Sequence, residues 1–182
     1  MGKLMKLTVY TSGHSQDVIK LFTDVFSDSE GQKEGQVIGQ LVTELIGTTD
    51  SNDLLGYISI SDGTIIGCIF FSRLTLSSGK IAFILSPVAV ASRHQGQGLG
   101  QQLINFGIQQ LQSHGVELVF TYGDPEFYSK VGFVKISEDI VKAPKNLTYP
   151  DGWLAQTLKS EDITSEVGAA KCVEALNKQE YW

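Results

Sequence analysis

The sequence predicts an α/β fold, a mixed central sheet with helices on both faces. Three observations predict it. Two segments of helical period are followed by three strand-like runs joined by tight-turn signals. A further helix-periodic segment separates two strand-like runs, the arrangement that sets those strands parallel. The 182 residues, 42% hydrophobic and 19% charged, suffice for one domain, residues 1–182, with a full core.

The elements follow in order. Leu4 to Thr11 reads as a strand closed by Ser12-Gly13. Asp17 to Phe26 carries Val18, Leu21, Phe22, Val25 and Phe26 at helical spacing. The polar stretch Ser27 to Gly35 reads as a connection, and a second helix carries Val37, Ile38, Leu41, Val42, Leu45 and Ile46 up to Gly47-Thr48-Thr49-Asp50. Leu54 to Ser61 and Thr64 to Leu76 flank Asp62-Gly63, a hairpin signal. Ser77-Ser78-Gly79 turns the chain into a strand from Lys80 to Ala91.

The segment from Gly98 to Ser113 has one broad apolar face, with Leu99, Leu103, Phe106 and neighbouring Ile104, Ile108 and Leu111. Gly115 stops it, and His114 reads as a helix-end residue. Glu117 to Tyr122 is a buried parallel strand, Pro125 to Val131 a short helix capped by Asp124, and Phe133 to Ser137 a strand. Glu138 to Asp151 is a loop, Trp153 to Leu158 a last strand, and Ser165 to Lys178 a C-terminal helix.

The most informative stretch is Ser86-Pro87-Val88-Ala89-Val90-Ala91-Ser92-Arg93-His94-Gln95-Gly96-Gln97-Gly98-Leu99-Gly100. A strand ends, a polar turn follows, and alternating glycines open onto a helix. Glycines let backbone approach an anion, and the first-turn N–H groups of a helix point at it. A G-x-x-x-x-G-K-S/T phosphate loop is absent. The dinucleotide pattern G-x-G-x-x-G fails, because Gln101 holds its third glycine position and Ala91 to Gln95 separate the glycines from the strand. What fits is R-x-x-G-x-G, read as Arg93, Gly96 and Gly98. The bland alternative is a glycine-rich turn with no ligand.

That pattern resembles the acyl-CoA signature of the GNAT superfamily of N-acetyltransferases, (Q/R)-x-x-G-x-(G/A). A second run, Gly123-Asp124-Pro125-Glu126-Phe127-Tyr128-Ser129-Lys130-Val131-Gly132-Phe133, resembles the family's Y-x-K-x-G-F through Tyr128, Lys130, Gly132 and Phe133. With flanking strands the two cover residues 53 to 137, the cofactor core, leaving 138 to 182 as a C-terminal extension. Gly-Asp-Pro-x-x-Tyr and the Pro87-centred strand end look most like the YhbS-like branch.

The resemblance implies a GNAT-like fold whose central strands splay around acetyl-CoA, and transfer of its acetyl group to a primary amine of a small molecule or peptide. Main-chain N–H groups of Gly96, Gln97, Gly98, Leu99, Gly100 and Gln101 would meet the pyrophosphate, with Gln95 in the turn and Arg93 adding charge. Val88, Ala89 and Val90 would pair with the pantetheine arm, and a backbone N–H near Val88 would polarise the carbonyl. Tyr128 becomes the general acid, a phenol that stays protonated at neutral pH. Its plain alternative is a tyrosine packed beside Phe127 and Phe133. Glu30 and Glu34 are candidates for the base through water, or equally solvated loop charges; Ser86 could instead hold that water. A second function class is a non-catalytic acyl-CoA-binding or regulatory module.

Composition excludes other classes. Net charge is −6 with no basic cluster, so nucleic acid is a poor partner, and the acidic surface mildly favours a cationic acceptor. Cys68 and Cys172 lack metal spacing and read as free thiols in a reducing cytoplasm; His14, His94 and His114 are scattered, so no metal is expected. Met1 to Lys6 carries no apolar signal region, and Lys6 breaks a myristoylation pattern. The apolar runs are strand-length, so no membrane partner is expected. Folds of this kind often form homodimers, and Tyr181-Trp182 could pack on the domain or on a second copy.

Overall fold

The computed structural model describes residues 4–182. The sequence reading of the N-terminal start rests partly on Met1, Gly2 and Lys3, which lie outside the described residues. The elements are β1 (Met5–Val9), α1 (Ser15–Glu30), α2 (Gln32–Thr48), β2 (Leu54–Ser61), β3 (Thr64–Thr75), β4 (Ile81–Val90), α3 (Leu99–Ser113), β5 (Leu118–Tyr122), α4 (Pro125–Ser129), β6 (Val134–Lys135) and β7 (Trp153–Thr157). The strands form a seven-stranded mixed sheet in the order β1-β2-β3-β4-β5-β7-β6, the α/β class expected. The chain divides into two compact units, the first running to Phe70 and including Pro87–Gly107, the second holding Phe71–Ser86 and Ile108–Trp182.

In the first unit, β1 pairs antiparallel with β2, Met5 opposite Ser61 and Val9 opposite Tyr57. Asp62 and Gly63 both take positive φ, 51° and 76°, the twist-matched turn that Asp-Gly favours. Helices cover both faces. Phe22 of α1 stacks on Phe70 of β3 at 6.1 Å, while Tyr57 of β2 meets Phe106 of α3 edge-on at 5.7 Å. Gly67, three residues from Phe70 and so on the opposite face, lets Leu103 of α3 approach; a Cβ there would stand 3.2 Å from it. Cys68 on β3 is fully buried, and burial pushes its thiol well above its ordinary pKa.

The stretch Ser27 to Gly35 is not the connection expected. Helix α1 runs on to Glu30, Gly31 N–H bonds Ser27 O at 3.1 Å, and α2 starts at Gln32. Gly31, at φ 100°, is the only residue between the helices. Polar composition misled here because both helix ends face solvent. The helices close on glycine: a Cβ at Gly35 would meet Ser27 Oγ at 1.8 Å and Thr23 O at 2.5 Å.

In the second unit, Ala82–Leu85 of β4 pairs parallel with Leu118–Thr121 of β5, and β7 adds antiparallel to β5. Its core stacks Phe120 on Trp153 at 5.2 Å. Helix α4 ends at Ser129 and β6 is only two residues, because Tyr128 O accepts both Val131 and Phe133 N–H across Gly132, at φ 93°.

The expected helix over Ser165 to Lys178 does not form. Lys171 exchanges two backbone hydrogen bonds with Thr75, at 2.8 and 3.0 Å, and Gly168 sits at φ 75°. Glu166 accepts from Ser77 Oγ and from Ser78 N and Oγ, fixing this extended strap to the β3–β4 turn. Only short 3₁₀ turns, Glu174–Leu176 and Gln179–Tyr181, remain. Ala170, Ala175 and Leu176 are buried all the same, which is why their spacing imitated a helix. Trp182 packs within the unit, stacked on Tyr122 at 5.9 Å.

The α1–α2 contact gives an internal comparison. Gly35→Ala should cost about 1–3 kcal/mol, since its methyl meets backbone. Gly47→Ala, in the same helix with open space around it, should be neutral or stabilising by up to about 1 kcal/mol. Urea midpoints of the two variants check this.

Candidate functional site

Two regions carry the candidate chemistry, one in each unit. In the first unit, β4 runs to Val90, with Ala89 buried and Val88 and Val90 half-buried. Pro87 in this strand has no N–H to give to a ladder. Ala91 N–H bonds Ile66 O at 2.8 Å, a 3₁₀ turn spans Ser92–His94, and α3 starts at Leu99. Gly96 and Gly98 take φ of 74° and 78°, and nothing lies within 4 Å of where their Cβ atoms would be. Only glycine holds these conformations cheaply, and the space it leaves is open for a ligand.

Gln102 N–H bonds Gly98 O at 3.1 Å, which leaves the N–H groups of Leu99, Gly100 and Gln101 with no carbonyl inside the helix. Successive N–H groups around left-handed residues form an anion-binding concavity, reinforced by the helix dipole. Gln95 and Gln97 look inward at their own turn: Gln95 Nε2 donates to Val90 O at 2.9 Å, and Gln97 Nε2 to Arg93 O at 3.5 Å. They hold the loop's shape. Leu99 anchors it in the core, while Arg93 is exposed and lines cavities of about 310 and 430 Å³. The expected cofactor residues from Val88 to Gln101 lie along one continuous stretch of strand end, turn and helix start.

Sequence reasoning missed Asp28. Its Oδ2 accepts from Ser92 Oγ at 2.8 Å, tying the end of α1 to the turn. Nothing in its local pattern signalled this, because the segment read as a connection. Glu30 is the exposed last residue of α1 and Glu34 lies half-buried in the first turn of α2, so neither is a loop residue. Glu34 sits where the helix dipole favours a carboxylate; Glu30 sits at the opposite pole.

In the second unit, Asp124 caps α4, its Oδ1 accepting from Glu126 N–H at 2.9 Å, and Pro125 opens the helix. Tyr128 on α4 packs edge-on against Phe127 at 5.0 Å and Phe133 at 5.8 Å. Gly123 lies against its ring: a Cβ there would stand 2.6 Å from Cε2. Burial pushes the phenol up to about 12; a hydrogen bond with Thr121 opposes the shift and the nearby Asp124 charge adds to it. Thr121, which the sequence did not single out, donates its own hydroxyl proton to Leu85 O at 2.8 Å. His114 bonds Gln110 O at 2.6 Å, a helix-end residue as expected.

Among the described residues no group of three or more His, Cys, Asp or Glu side chains is disposed to hold a metal ion. No described helix is long and apolar enough to cross a membrane.

The chain is similar to several known proteins. Residues 52–135 match the family described as Acetyltransferase (GNAT) domain. The uncharacterized N-acetyltransferase YhbS of Escherichia coli K12 is 36% identical over 81 residues, 43% of this chain and 48% of that protein. The chain therefore spans about half the length of the curated relatives it matches at that identity. The uncharacterized N-acetyltransferase YjhQ of the same organism is 28% identical over 137 residues, 71% of this chain and 75% of YjhQ. In fold, the chain is similar to crystalline Escherichia coli YhbS in complex with CoA, with a TM-score of 0.81 at 23% identity, covering 98% of this chain and 94% of that one. A GNAT family acetyltransferase from Brucella melitensis in complex with acetyl-CoA gives 0.71 at 20% identity, covering 96% and 99%.

Burial pushes Tyr57 up to about 12 as well. A phenol whose folded pKa is raised contributes stability that is complete below its unfolded value of about 10 and is lost as pH climbs through 12. Denaturant midpoints should fall between pH 10 and 12, and Tyr57→Phe or Tyr128→Phe should flatten that fall.

Proposed function

We propose, from the match of residues 52–135 to the GNAT acetyltransferase domain, that this chain is a GNAT-type, acetyl-CoA-dependent N-acetyltransferase acting on a primary amine. The observation that carries the reading is the turn at Gly96 and Gly98, which opens a fifteen-residue helix with free first-turn donors. Structural neighbours that hold CoA or acetyl-CoA support the choice of ligand. The free thiols Cys68 and Cys172 agree with action in a reducing cytoplasm.

When bound, acetyl-CoA supplies an activated acyl group as a thioester. The N–H groups from Gly96 to Gln101 hold its pyrophosphate, with Arg93 adding positive charge. Backbone from Val88 to Val90 aligns the pantetheine arm, and the Val88 N–H polarises the reacting carbonyl. The acceptor attacks as free amine, its proton leaving through water to Glu34 or Glu30, with Ser86 able to hold that water. Tyr128 Oη delivers a proton to the departing sulfur.

The last step sets a condition. With its phenol near 12, Tyr128 would protonate a solution-like thiolate of pKa about 8.5 at a cost on the order of 5 kcal/mol. The step therefore needs a sulfur that is itself held dry, where its proton affinity rises too. The same shift keeps the acid protonated through the pH range around 10 in which a primary amine loses its proton.

Acetyl-CoA or CoA at 100 times its dissociation constant should stabilise the protein by about 2.7 kcal/mol, raising Tm by roughly 5 to 10 °C, with NAD and ATP inert. No shift with either would remove the cofactor assignment. Tyr128→Phe keeps the packed ring and should lower kcat by about 10²- to 10⁴-fold while leaving acetyl-CoA affinity within twofold. Unchanged turnover would remove Tyr128 as the acid. The wild-type kcat profile should show no loss of the acid below about pH 11.

A further inference from the structure

Strand β1 forms one edge of the seven-stranded sheet and β6 forms the other. The two edges are built differently. β6 is two residues long, which gives a second chain little to pair with. β1 runs five residues, Met5–Val9, in unbroken register with β2, with no proline and no bulge.

Backbone bonding sorts the residues of β1. Tyr10 N–H bonds Gly56 O at 2.8 Å, and this pair continues the register that sets Val9 opposite Tyr57. Along an antiparallel pair, opposed residues that exchange such bonds alternate with opposed residues that do not. Lys6 and Thr8 therefore direct their N–H and C=O groups to β2, whereas Met5, Leu7 and Val9 direct theirs away from the sheet. Among the described residues no loop or side chain is hydrogen-bonded to those outward groups.

The side chains alternate as well. Val9 lies opposite Tyr57, which meets Phe106 edge-on, so Val9 is on the α3 face. Met5, Leu7 and Val9 thus make an apolar row on that face, with Met5 40% exposed, Val9 51% exposed and Leu7 half-buried. Lys6 and Thr8 point to the other face.

A second copy of β1, running antiparallel about a two-fold axis, matches this edge best in one register. Centred on Leu7, it lets Met5 with Val9, Leu7 with Leu7 and Val9 with Met5 each exchange two N–H···O bonds. Apolar side chains then meet apolar ones, and Lys6 faces Thr8 of the second copy. Centring on Lys6 or on Thr8 instead leaves one outward residue of each copy unpaired, and the Lys6 register also sets two ammonium groups opposite each other. The chain carries a net charge of −6, but β1 holds no acidic residue, so this edge adds nothing to the repulsion between copies.

We infer that β1 is a dimerisation edge, through which two copies of this chain pair antiparallel about a two-fold axis at Leu7. The contact is isologous, so a single dimer closes it and leaves β1 no room for a third copy. A pairing this short belongs to the modest end of specific interfaces.

Sedimentation equilibrium of the full chain should show monomer and dimer exchanging with a dissociation constant of about 1 to 100 µM. Leu7→Pro removes an outward N–H and no bond to β2, and Val9→Lys adds a charge at an exposed position. Each should weaken the dimer by about tenfold or more, and Val9→Lys carries the test if the proline variant does not fold. Cross-linking reads the register in a Cys172→Ser background, since Cys68 is fully buried. Lys6→Cys combined with Thr8→Cys should give a reducible dimer, because such opposed residues bring their Cα atoms to about 4.5 Å, within disulfide reach. Lys6→Cys alone should give none.

A chain that stays monomeric at millimolar concentration overturns the assignment, whether β1 remains open or accepts an extended peptide of another protein. A dimer that neither Leu7→Pro nor Val9→Lys weakens overturns it too, as does cross-linking by Lys6→Cys alone.

Discussion

Three backbone N–H groups at the start of α3, those of Leu99, Gly100 and Gln101, have no carbonyl to bond within their helix. A helix end can be closed by a capping side chain, which would consume one of those donors. Here Gly98 takes that place and offers none. The side chains that could have interfered, Gln95 and Gln97, are occupied with carbonyls of the turn itself. Leu99, buried at the base, fixes the helix against the core, and Asp28 fixes Ser92. Donors left to water cost little, so the fold tolerates them, and the proposed pyrophosphate would take that water's place.

The second unit has the opposite character. Burial beside aromatic rings keeps the Tyr128 phenol from ionising, which the proposed role of general acid requires. Asp124 then has a double role: it caps α4, placing the tyrosine one turn on, and its charge adds to the cost of forming a phenolate. The Gly-Asp-Pro triplet is thus structural and electrostatic together. Gly123 admits the ring, Asp124 starts the helix, and Pro125 supplies a fixed φ at its first position.

Much of this was legible in the sequence where local chemistry decides the outcome. Asp62-Gly63 demanded a tight hairpin turn, the alternating glycines before Leu99 demanded a strand-to-helix turn, and Asp124-Pro125 demanded a helix start. Each rule concerns a few adjacent residues. Where partners are remote, the reading failed. The strap at 165–173 is extended because Thr75 and the Ser77–Ser78 turn take its hydrogen bonds, about ninety residues away in sequence. Ser27 to Glu30 is helical because α2 packs back on α1 through Gly35 and Gly39, and polarity alone could not tell a solvent-facing helix end from a loop. Asp28 and Thr121 escaped notice for the same reason, since each acts on a residue distant in the chain.

The fully buried thiol on β3 has a use beyond packing. A thiolate reacts with alkylating reagents, and a buried thiol with a raised pKa cannot form one until the surrounding structure opens. Cys68 belongs to the first compact unit and the half-buried Cys172 to the second. The first half therefore carries a natural chemical clock. The labelling rate of Cys68 records the opening of the glycine-turn half, without any engineered probe.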